Sequence, residues 1–312
     1  MRLLRFNALN EPVSRARTGV LLAGDIVGDL RAGYATCLVE EGKDVQGREI
    51  AGLRIPPDVR QILHVGGPAR VAVERAAAWL AERYAKYPNG KGLDGEMLFV
   101  PLAGARLHNP LKPGRLIVVE GNTGASGQPV VRDHSSASFI GPVRDIATPG
   151  VLDGLAYGTG VAIVIGRTCH ALEARDALNA VAGYMVANIV HARLNNADIE
   201  GLAGDIAFTR CIIGPYLVEP QDAPEFGSLH LTTHVNGMVV QSGATSSLLW
   251  PLDRLIARLS RYGLEAGDTI VTGLLSDRTP AGTSTVPYLR GGDLLESGIE
   301  GLGTMRNRVT SS

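Results

Sequence analysis

The chain has 312 residues, of which 45% are hydrophobic and 20% are charged. This length and composition suit a globular protein whose core needs no disulfide or structural metal to fold. The formal net charge of -1 and the pI of about 6.7 exclude the strongly basic balance of nucleic-acid-binding and membrane-surface proteins, so we expect neither partner.

The N-terminus lacks the apolar run of a secretory signal, and the longest apolar stretch, residues 160–166, is too short to span a bilayer. The three cysteines are odd in number and have no CxxC spacing. This usage is typical of a reducing compartment and gives no zinc-site pattern. We therefore expect a cytoplasmic protein.

The first hundred residues predict a small α/β unit. Short apolar runs at residues 19–24 and 26–30 indicate the two strands of a hairpin. Residues 69–87 carry apolar side chains at helical spacing, and Pro88-Asn-Gly90 ends that predicted helix.

A domain boundary is expected near residues 105–113, where Asn109-Pro110 and Lys112-Pro-Gly114 cluster. It divides the chain into a small N-terminal α/β domain, residues 1–108, and a core domain, residues 109–312.

The core domain is predicted to be rich in strands. Residues 115–119 and 161–165 are apolar on both faces, as buried strands are. Asn236-Gly237 separates the alternating runs 229–235 and 238–241, and this pattern predicts a β-hairpin.

Helical spacing of apolar residues predicts two further helices, at residues 174–194 and 251–262. Pro251 suits the first turn of the second helix, and Gly263 ends it. The strand expected after it covers residues 269–272.

The C-terminal third carries an ordered set of motifs, none of which is specific alone. They follow the hairpin and occupy residues 264–273, 279–282, 289–293 and 299–309. Earlier pieces that fit the same order lie at residues 114–119, 138–142, 162–167 and 183–188. From about residue 110 to the end, the set resembles the fumarylacetoacetate hydrolase family.

This resemblance implies an α/β (α+β) chain in which a mixed β-roll core follows a small N-terminal α/β domain, often as a homodimer. Members of the family act on 2-oxo or 1,3-dioxo acids. A divalent ion, usually Mg²⁺, chelates the substrate oxygens and stabilises an enolate. We therefore expect a small-molecule oxo acid or enol as the substrate.

Three positions that carry metal-binding carboxylates in the family carry other residues here. Gly158 and Gly160 stand where the family has Glu-x-Glu, and Ile189 stands where an Asp follows the Asn that corresponds to Asn188. Glycine and isoleucine offer no side-chain oxygen to a hard cation. We therefore expect no metal cofactor and no other cofactor.

Other family positions are also changed. Ser126 stands where the resemblance places the catalytic His, and Asp205 stands where it places a Lys. Thr272-Gly-Leu replaces the family's Thr-Gly-Thr and is followed by an insertion.

The resemblance implies substrate binding by three residues that are kept, Arg193, Gln241 and Thr272. Arg193 matches an Arg that binds a substrate carboxylate; alternatively it is a cation that complements the end of the predicted helix. Gln241 matches a cleft residue, and the alternative is an exposed polar side chain. Arg132, next to the predicted cleft, is a further candidate for binding substrate.

Acid–base work then falls to His191, His134 or Asp205. His191 stands at the family's Ser position, and His134 lies on a polar segment near the predicted cleft. The alternatives are a surface or core role for each His, and an ion pair of Asp205 with Arg210. His230 and His234 share one face of a predicted strand, and cross-strand packing explains them better than metal binding does.

The leading hypothesis is a metal-independent enzyme that acts at a carbon next to a carbonyl, as a lyase, isomerase, cyclase or hydrolase, on an enolisable oxo acid or polyketide-like intermediate. The alternative is a catalytically inactive homologue that binds a small anion or a partner protein. A third reading is an ordinary family hydrolase whose metal ligands come from Asp133, Glu120 or Asp205.

Overall fold

The structure, a computed structural model, describes residues 1–123, 129–134, 139–148, 154–192, 209–272 and 288–311. Within these ranges only the backbone is described at residues 134, 192, 209 and 311. The chain divides into two compact units, Met1–Lys112 with Tyr216–Val218, and Pro113–Pro215 with Glu219–Ser312. The boundary expected at residue 108 stays a prediction.

The first unit contains an antiparallel sheet backed by helices. Its strands are β1 (Arg2–Ala8), β2 (Arg17–Leu22), β3 (Ile26–Asp29), β4 (Phe99–Pro101) and β5 (Ala105–His108). They run in the order β4-β3-β2-β1, and both β5 and the segment Tyr216–Val218 pair with β1. The hairpin predicted at residues 19–30 is confirmed as β2–β3.

Four helices belong to this unit, and their starts follow from the sequence. They are α1 (Leu30–Glu40), α2 (Gly47–Arg54), α3 (Val59–Val65) and α4 (Gly67–Lys86). The Asp29 and Asp58 side chains accept hydrogen bonds from the first-turn amides of α1 and α3. The helix predicted at residues 69–87 is confirmed as α4.

The second unit contains one mixed sheet and one smaller sheet. The strands of the mixed sheet are β6 (Leu116–Glu120), β7 (Val130–His134), β8 (Phe139–Ile140), β10 (Leu155–Ile165), β11 (Val181–Ala192), β12 (Thr209–Val218) and β15 (Thr269–Val271). The order is β12-β11-β10-β15-β6-β7, and β8 pairs with β12. The strands predicted at residues 115–119 and 161–165 are confirmed as β6 and the second half of β10.

The strands of the smaller sheet are β9 (Ile146–Thr148), β13 (His230–Val235), β14 (Met238–Ala244), β16 (Leu294–Ile299) and β17 (Gly303–Ser311). They run in the order β14-β13-β16-β17-β9. The predicted hairpin is confirmed as β13–β14. The helix predicted at residues 251–262 is confirmed as α6 (Leu252–Ser260).

The helix predicted at residues 174–194 is wrong. A short helix, α5 (Ala174–Ala177), and a 3-10 turn, Leu178–Ala180, lead into β11, which pairs with β10 along its length. The run from Val181 is apolar on both faces, and a doubly buried strand of this kind cannot be told from a buried helix by periodicity alone. The helix-surface reading of His191 and the helix-end reading of Arg193 lose their basis.

Within the described ranges, every helix is too short or too polar to cross a bilayer.

Candidate functional site

The antiparallel pair β10–β11 lies at the centre of the second unit, and one of its faces is made of small and apolar residues. Gly158 lies directly opposite Ile189, and Gly160 lies two residues farther along, opposite Ala187. Residues directly opposite on antiparallel strands have Cβ positions about 4.5–5.5 Å apart. The three positions of the family's carboxylates therefore meet on one patch, which we call the glycine face.

His191 belongs to the same side of the pair. It lies two residues beyond Ile189 on β11, opposite Ala156, and alternate residues of a strand share one face. Its side chain is half-buried. An imidazole is thus placed beside the positions where the carboxylates are missing.

The opposite face of the pair carries a buried polar network that links the two sheets. The Thr159 hydroxyl lies 2.7 Å from the Thr233 hydroxyl and donates to Ser297 Oγ at 3.1 Å. Asn188 Nδ2 donates to Ser297 Oγ at 2.6 Å and to Thr159 Oγ1 at 3.3 Å. All four side chains are almost fully buried. Such a network fixes the sheets in register because each unpaired buried group would cost free energy.

Gln241 and Thr272 use their side chains to continue the hydrogen bonding of β10. Thr272 Oγ1 accepts from the amide of Val161, and Gln241 Oε1 accepts from the amide of Thr159, both at 3.3 Å. Gln241 Oε1 also accepts from the Thr233 hydroxyl at 3.2 Å. The reading of Gln241 as an exposed polar residue is wrong, since it is 6% exposed. A role in substrate binding stays a prediction for both residues.

Two polar atoms of the network and of Gln241 lack a hydrogen-bond partner among the described residues. They are Gln241 Nε2 and Asn188 Oδ1, and both are buried. A buried donor without a partner is costly, and a bound ligand oxygen or a water molecule would satisfy it.

The remaining sequence candidates fall in different places. Arg132 is exposed on β7, and its Nε donates to Glu120 Oε2 at 2.9 Å. His134 ends β7 and pairs with Leu116, and its side chain is outside the described residues. Arg193 and Asp205 also lie outside the described residues, as does Ser126. The structure therefore places His191, Gln241 and Thr272 on or beside β10–β11.

His230 and His234 lie on the face of β13 that alternates with its buried residues. Their side chains are exposed and half-buried, respectively. Within the part of the chain that the structure describes, no three His, Cys, Asp or Glu residues converge on a possible metal site.

The other titratable groups in the interior are poor acid–base candidates. Burial raises the pKa of the Tyr184 phenol, and it raises the pKa of the Cys211 thiol strongly, so both stay neutral near pH 7. The buried Asp268 carboxylate accepts from the amide and Nε of Arg115, each at 3.0 Å, and this ion pair ties β15 to β6.

Sequence reasoning missed four members of the polar network, Thr159, Asn188, Thr233 and Ser297. One signal was present, because a Thr or Asn inside an otherwise apolar strand needs a buried partner. That signal names no partner, and the residues that meet are 29 to 138 positions apart.

Comparison with known proteins decides the family. Residues 119–310 match the family described as fumarylacetoacetate (FAA) hydrolase C-terminal, which is more than half of the chain. The chain belongs to the fumarylacetoacetate hydrolase family. The mixed α/β fold expected from the resemblance is confirmed by relatives of known structure.

Two relatives and one solved structure are similar to this chain. The oxaloacetate tautomerase YisK of Bacillus subtilis is 32% identical over 75% of this chain and 81% of its own. The 2,4-didehydro-3-deoxy-L-rhamnonate hydrolase of a Sphingomonas species is 31% identical over 62% of this chain and 68% of its own. The maleylpyruvate hydrolase of Sphingobium sp. SYK-6, solved with manganese(II) and pyruvate, has a TM-score of 0.72 at 22% identity, with both chains fully covered. Homologues are thus hydrolases and isomerases.

The residues of the glycine face do not fit the divalent ion that the family implies. A hard cation such as Mg²⁺ or Mn²⁺ needs several convergent oxygen ligands. At the three positions that the register brings together, this chain offers two hydrogen atoms and a hydrocarbon side chain. The imidazole of His191 supplies one nitrogen beside them, which is too few donors for such an ion.

Proposed function

We propose that this family member is an enzyme that acts at the carbon next to a carbonyl in an enolisable oxo acid, without a divalent ion on the glycine face. One observation carries the proposal. The positions of the three missing carboxylates converge on one patch, and His191 lies on the same side of the same strands. The names of the relatives, an oxaloacetate tautomerase and two hydrolases of oxo acids, support the reaction class.

The chemistry begins with proton transfer. A neutral imidazole at His191 takes a proton from the carbon next to the carbonyl, and the electron pair of the C–H bond moves toward the carbonyl oxygen as an enolate. The resulting imidazolium stabilises that enolate by charge. In a tautomerase or isomerase the proton then returns to oxygen or to another carbon, so the reaction balances without an oxidant, a reductant or water. A hydrolase would instead add water to one carbonyl carbon, and the neighbouring C–C bond would then break with its electron pair leaving as an enolate, which takes up a proton from the imidazolium. A lyase would release the same enolate as the carbon on the other side of the broken bond becomes a carbonyl.

Substrate binding is assigned to groups that suit an oxo acid. Arg193 would hold the carboxylate, because a guanidinium binds carboxylates in a bidentate manner. Gln241 Nε2 is a buried donor without a partner among the described residues and stays a candidate for binding a substrate oxygen, while Oε1 of the same amide accepts from Thr233 of the network on the face opposite His191. Thr272, Arg132, His134 and Asp205 stay candidates for binding or for the second proton transfer.

The cytoplasmic location and the homodimer expected from the sequence belong to the same proposal. The location rests on the cysteine usage, and the homodimer rests on the family resemblance.

The proposal is tested by replacing His191. We expect the purified chain to interconvert the keto and enol forms of oxaloacetate or to cleave an acylpyruvate. Either reaction can be monitored by the change in ultraviolet absorbance of the substrate. His191→Asn should lower kcat about 10²- to 10⁴-fold, because the general base is lost while a polar side chain remains. His230→Asn, a replacement of an exposed His on the smaller sheet, is the matched control and should leave kcat unchanged.

Two outcomes would count against the proposal. Equal rates for His191→Asn and the parent chain would remove His191 from the mechanism. Binding of oxo acids without turnover of any of them would favour the non-catalytic homologue.

A further inference from the structure

A cavity of about 650 Å³ opens at the surface of the second unit, and its lining contains no residue of β10 or β11. One wall is α6, and the other is the segment that leads into α5. Cavities that hold small molecules have volumes of about 300–1,000 Å³. The cavity is therefore large enough for a metabolite.

Three arginines of α6 and its C-terminal turn line this cavity. Arg254 and Arg258 are four residues apart and Arg261 follows three residues later, so all three project from one side of the helix. Their side chains are exposed. Among the described residues none of them forms an ion pair or a side-chain hydrogen bond. Glu173, the acidic residue of the lining, is already engaged by Arg175 at 2.9 Å.

The three positive charges are electrostatically unfavourable as long as no anion is bound to the cavity. Like charges four residues apart on a helix repel each other. Positive charge is favoured near the last turn of a helix and disfavoured in the first. The dipole thus accounts for Arg258 and Arg261 but not for Arg254, which lies in the first turn of α6. A bound anion would offset the repulsion among these arginines.

The cavity is also held in shape before any ligand binds. The Arg258 guanidinium lies 4.4 Å from the centre of the Trp250 ring, which limits the directions in which it can point. The opposite wall is tied to α6, because the Leu172 amide donates to Ser260 Oγ at 2.9 Å and the Ala171 amide donates to the Ser260 carbonyl at 3.0 Å. Preorganised donors lose less entropy on binding.

We propose that this cavity is a second binding site, for a small anion with at least two negative charges, such as a phosphate-bearing or dicarboxylate metabolite. Guanidinium groups recognise both chemistries through paired N–H···O bonds, and three guanidinium groups supply the charge that such an anion needs. The proposal does not rest on the proposed function, because its residues lie outside β10–β11.

Calorimetric titrations with pyrophosphate and with succinate test the site. Binding of either compound supports the proposal. The compound that binds more tightly shows whether the site prefers phosphate groups or carboxylates. Arg254→Gln and Arg258→Gln should each raise the dissociation constant about tenfold or more. Arg144→Gln, which removes an exposed arginine of the same unit outside the cavity, should leave it unchanged.

A second readout separates binding from folding. Without ligand, Arg254→Gln should melt at the same temperature as the parent chain or higher, because an unfavourable charge has been removed. With pyrophosphate or succinate, the parent chain should gain in melting temperature, and the variant should gain less at the same ligand concentration. Equal affinities of the parent chain and both cavity variants, no binding of either compound, or a preference for single-stranded RNA over both compounds would overturn the proposal.

Discussion

Three residues of the central strand pair decide what chemistry the family fold can support in this chain. Where the resemblance implies carboxylates, Gly158, Gly160 and Ile189 remove both the oxygen ligands and their negative charge. His191 lies beside these positions, on the same side of the strand pair. The loss of the ion and the gain of a base are therefore one coordinated change in our account.

On the other face, Thr233 is expected to be a major contributor to the polar network. Thr233→Val keeps the shape of the side chain but deprives Thr159 Oγ1 and Gln241 Oε1 of a partner. We expect a loss of about 1–3 kcal/mol in the free energy of unfolding, measured by urea denaturation.

The adjacent residue provides the matched control. Thr232 is half-buried on the opposite face of β13, so Thr232→Val should change the same free energy by no more than about 0.5 kcal/mol. Equal effects of the two substitutions would mean that the network contributes little to stability.

The glycine face could be predicted from the sequence and the network could not. Gly158, Gly160 and Ile189 each have neighbours that match the family's motifs, so their positions follow from a resemblance along the chain. The network joins β10 to β13 and β16. Thr159 lies 74 positions before Thr233 and 138 positions before Ser297, and it is hydrogen-bonded to both. Only the pairing of distant strands brings those hydroxyls together.

At the scale of secondary structure, predictions succeeded where the signal is local. The β13–β14 hairpin follows from Asn236 and Gly237, whose φ values of 51° and 81° are those of the turn that such a pair favours. The helix α6 follows from Pro251 and Gly263. The failure at β11 has a physical cause, because its conformation is set by pairing with β10 and not by its own periodicity.

The hairpin turn gives a test of this local control. Gly237→Ala places a Cβ on a residue with positive φ, and we expect a loss of about 1–2 kcal/mol in the free energy of unfolding. Gly227→Ala is the matched control in the same unit: the glycine also has open space around it, but its φ is not positive.

The control should move in the opposite direction. An alanine at residue 227 restricts the unfolded chain without straining the folded one, so stability should rise by about 0.4–1 kcal/mol. Urea denaturation of both variants checks the sign. A stabilising Gly237→Ala would contradict the turn geometry.

At the scale of the whole molecule, the core domain has the fold of the family, but the residues at the three carboxylate positions differ from those of the family. The fold could be predicted because an ordered set of motifs covers the core domain, and the family match at residues 119–310 confirms it. The arginine-lined cavity was not anticipated. Its three cations are spread over α6, while its second wall comes from a segment about eighty residues earlier, at positions 171–174.

The central claim is that this chain works without a divalent ion on the glycine face. The most direct measurement is the metal content of the freshly purified protein by mass spectrometry, together with its turnover of an oxo acid before and after treatment with EDTA. We predict far less than one magnesium, manganese or calcium per chain and the same rate in both conditions. About one such ion per chain, with activity that EDTA abolishes and Mn²⁺ restores, would contradict the account.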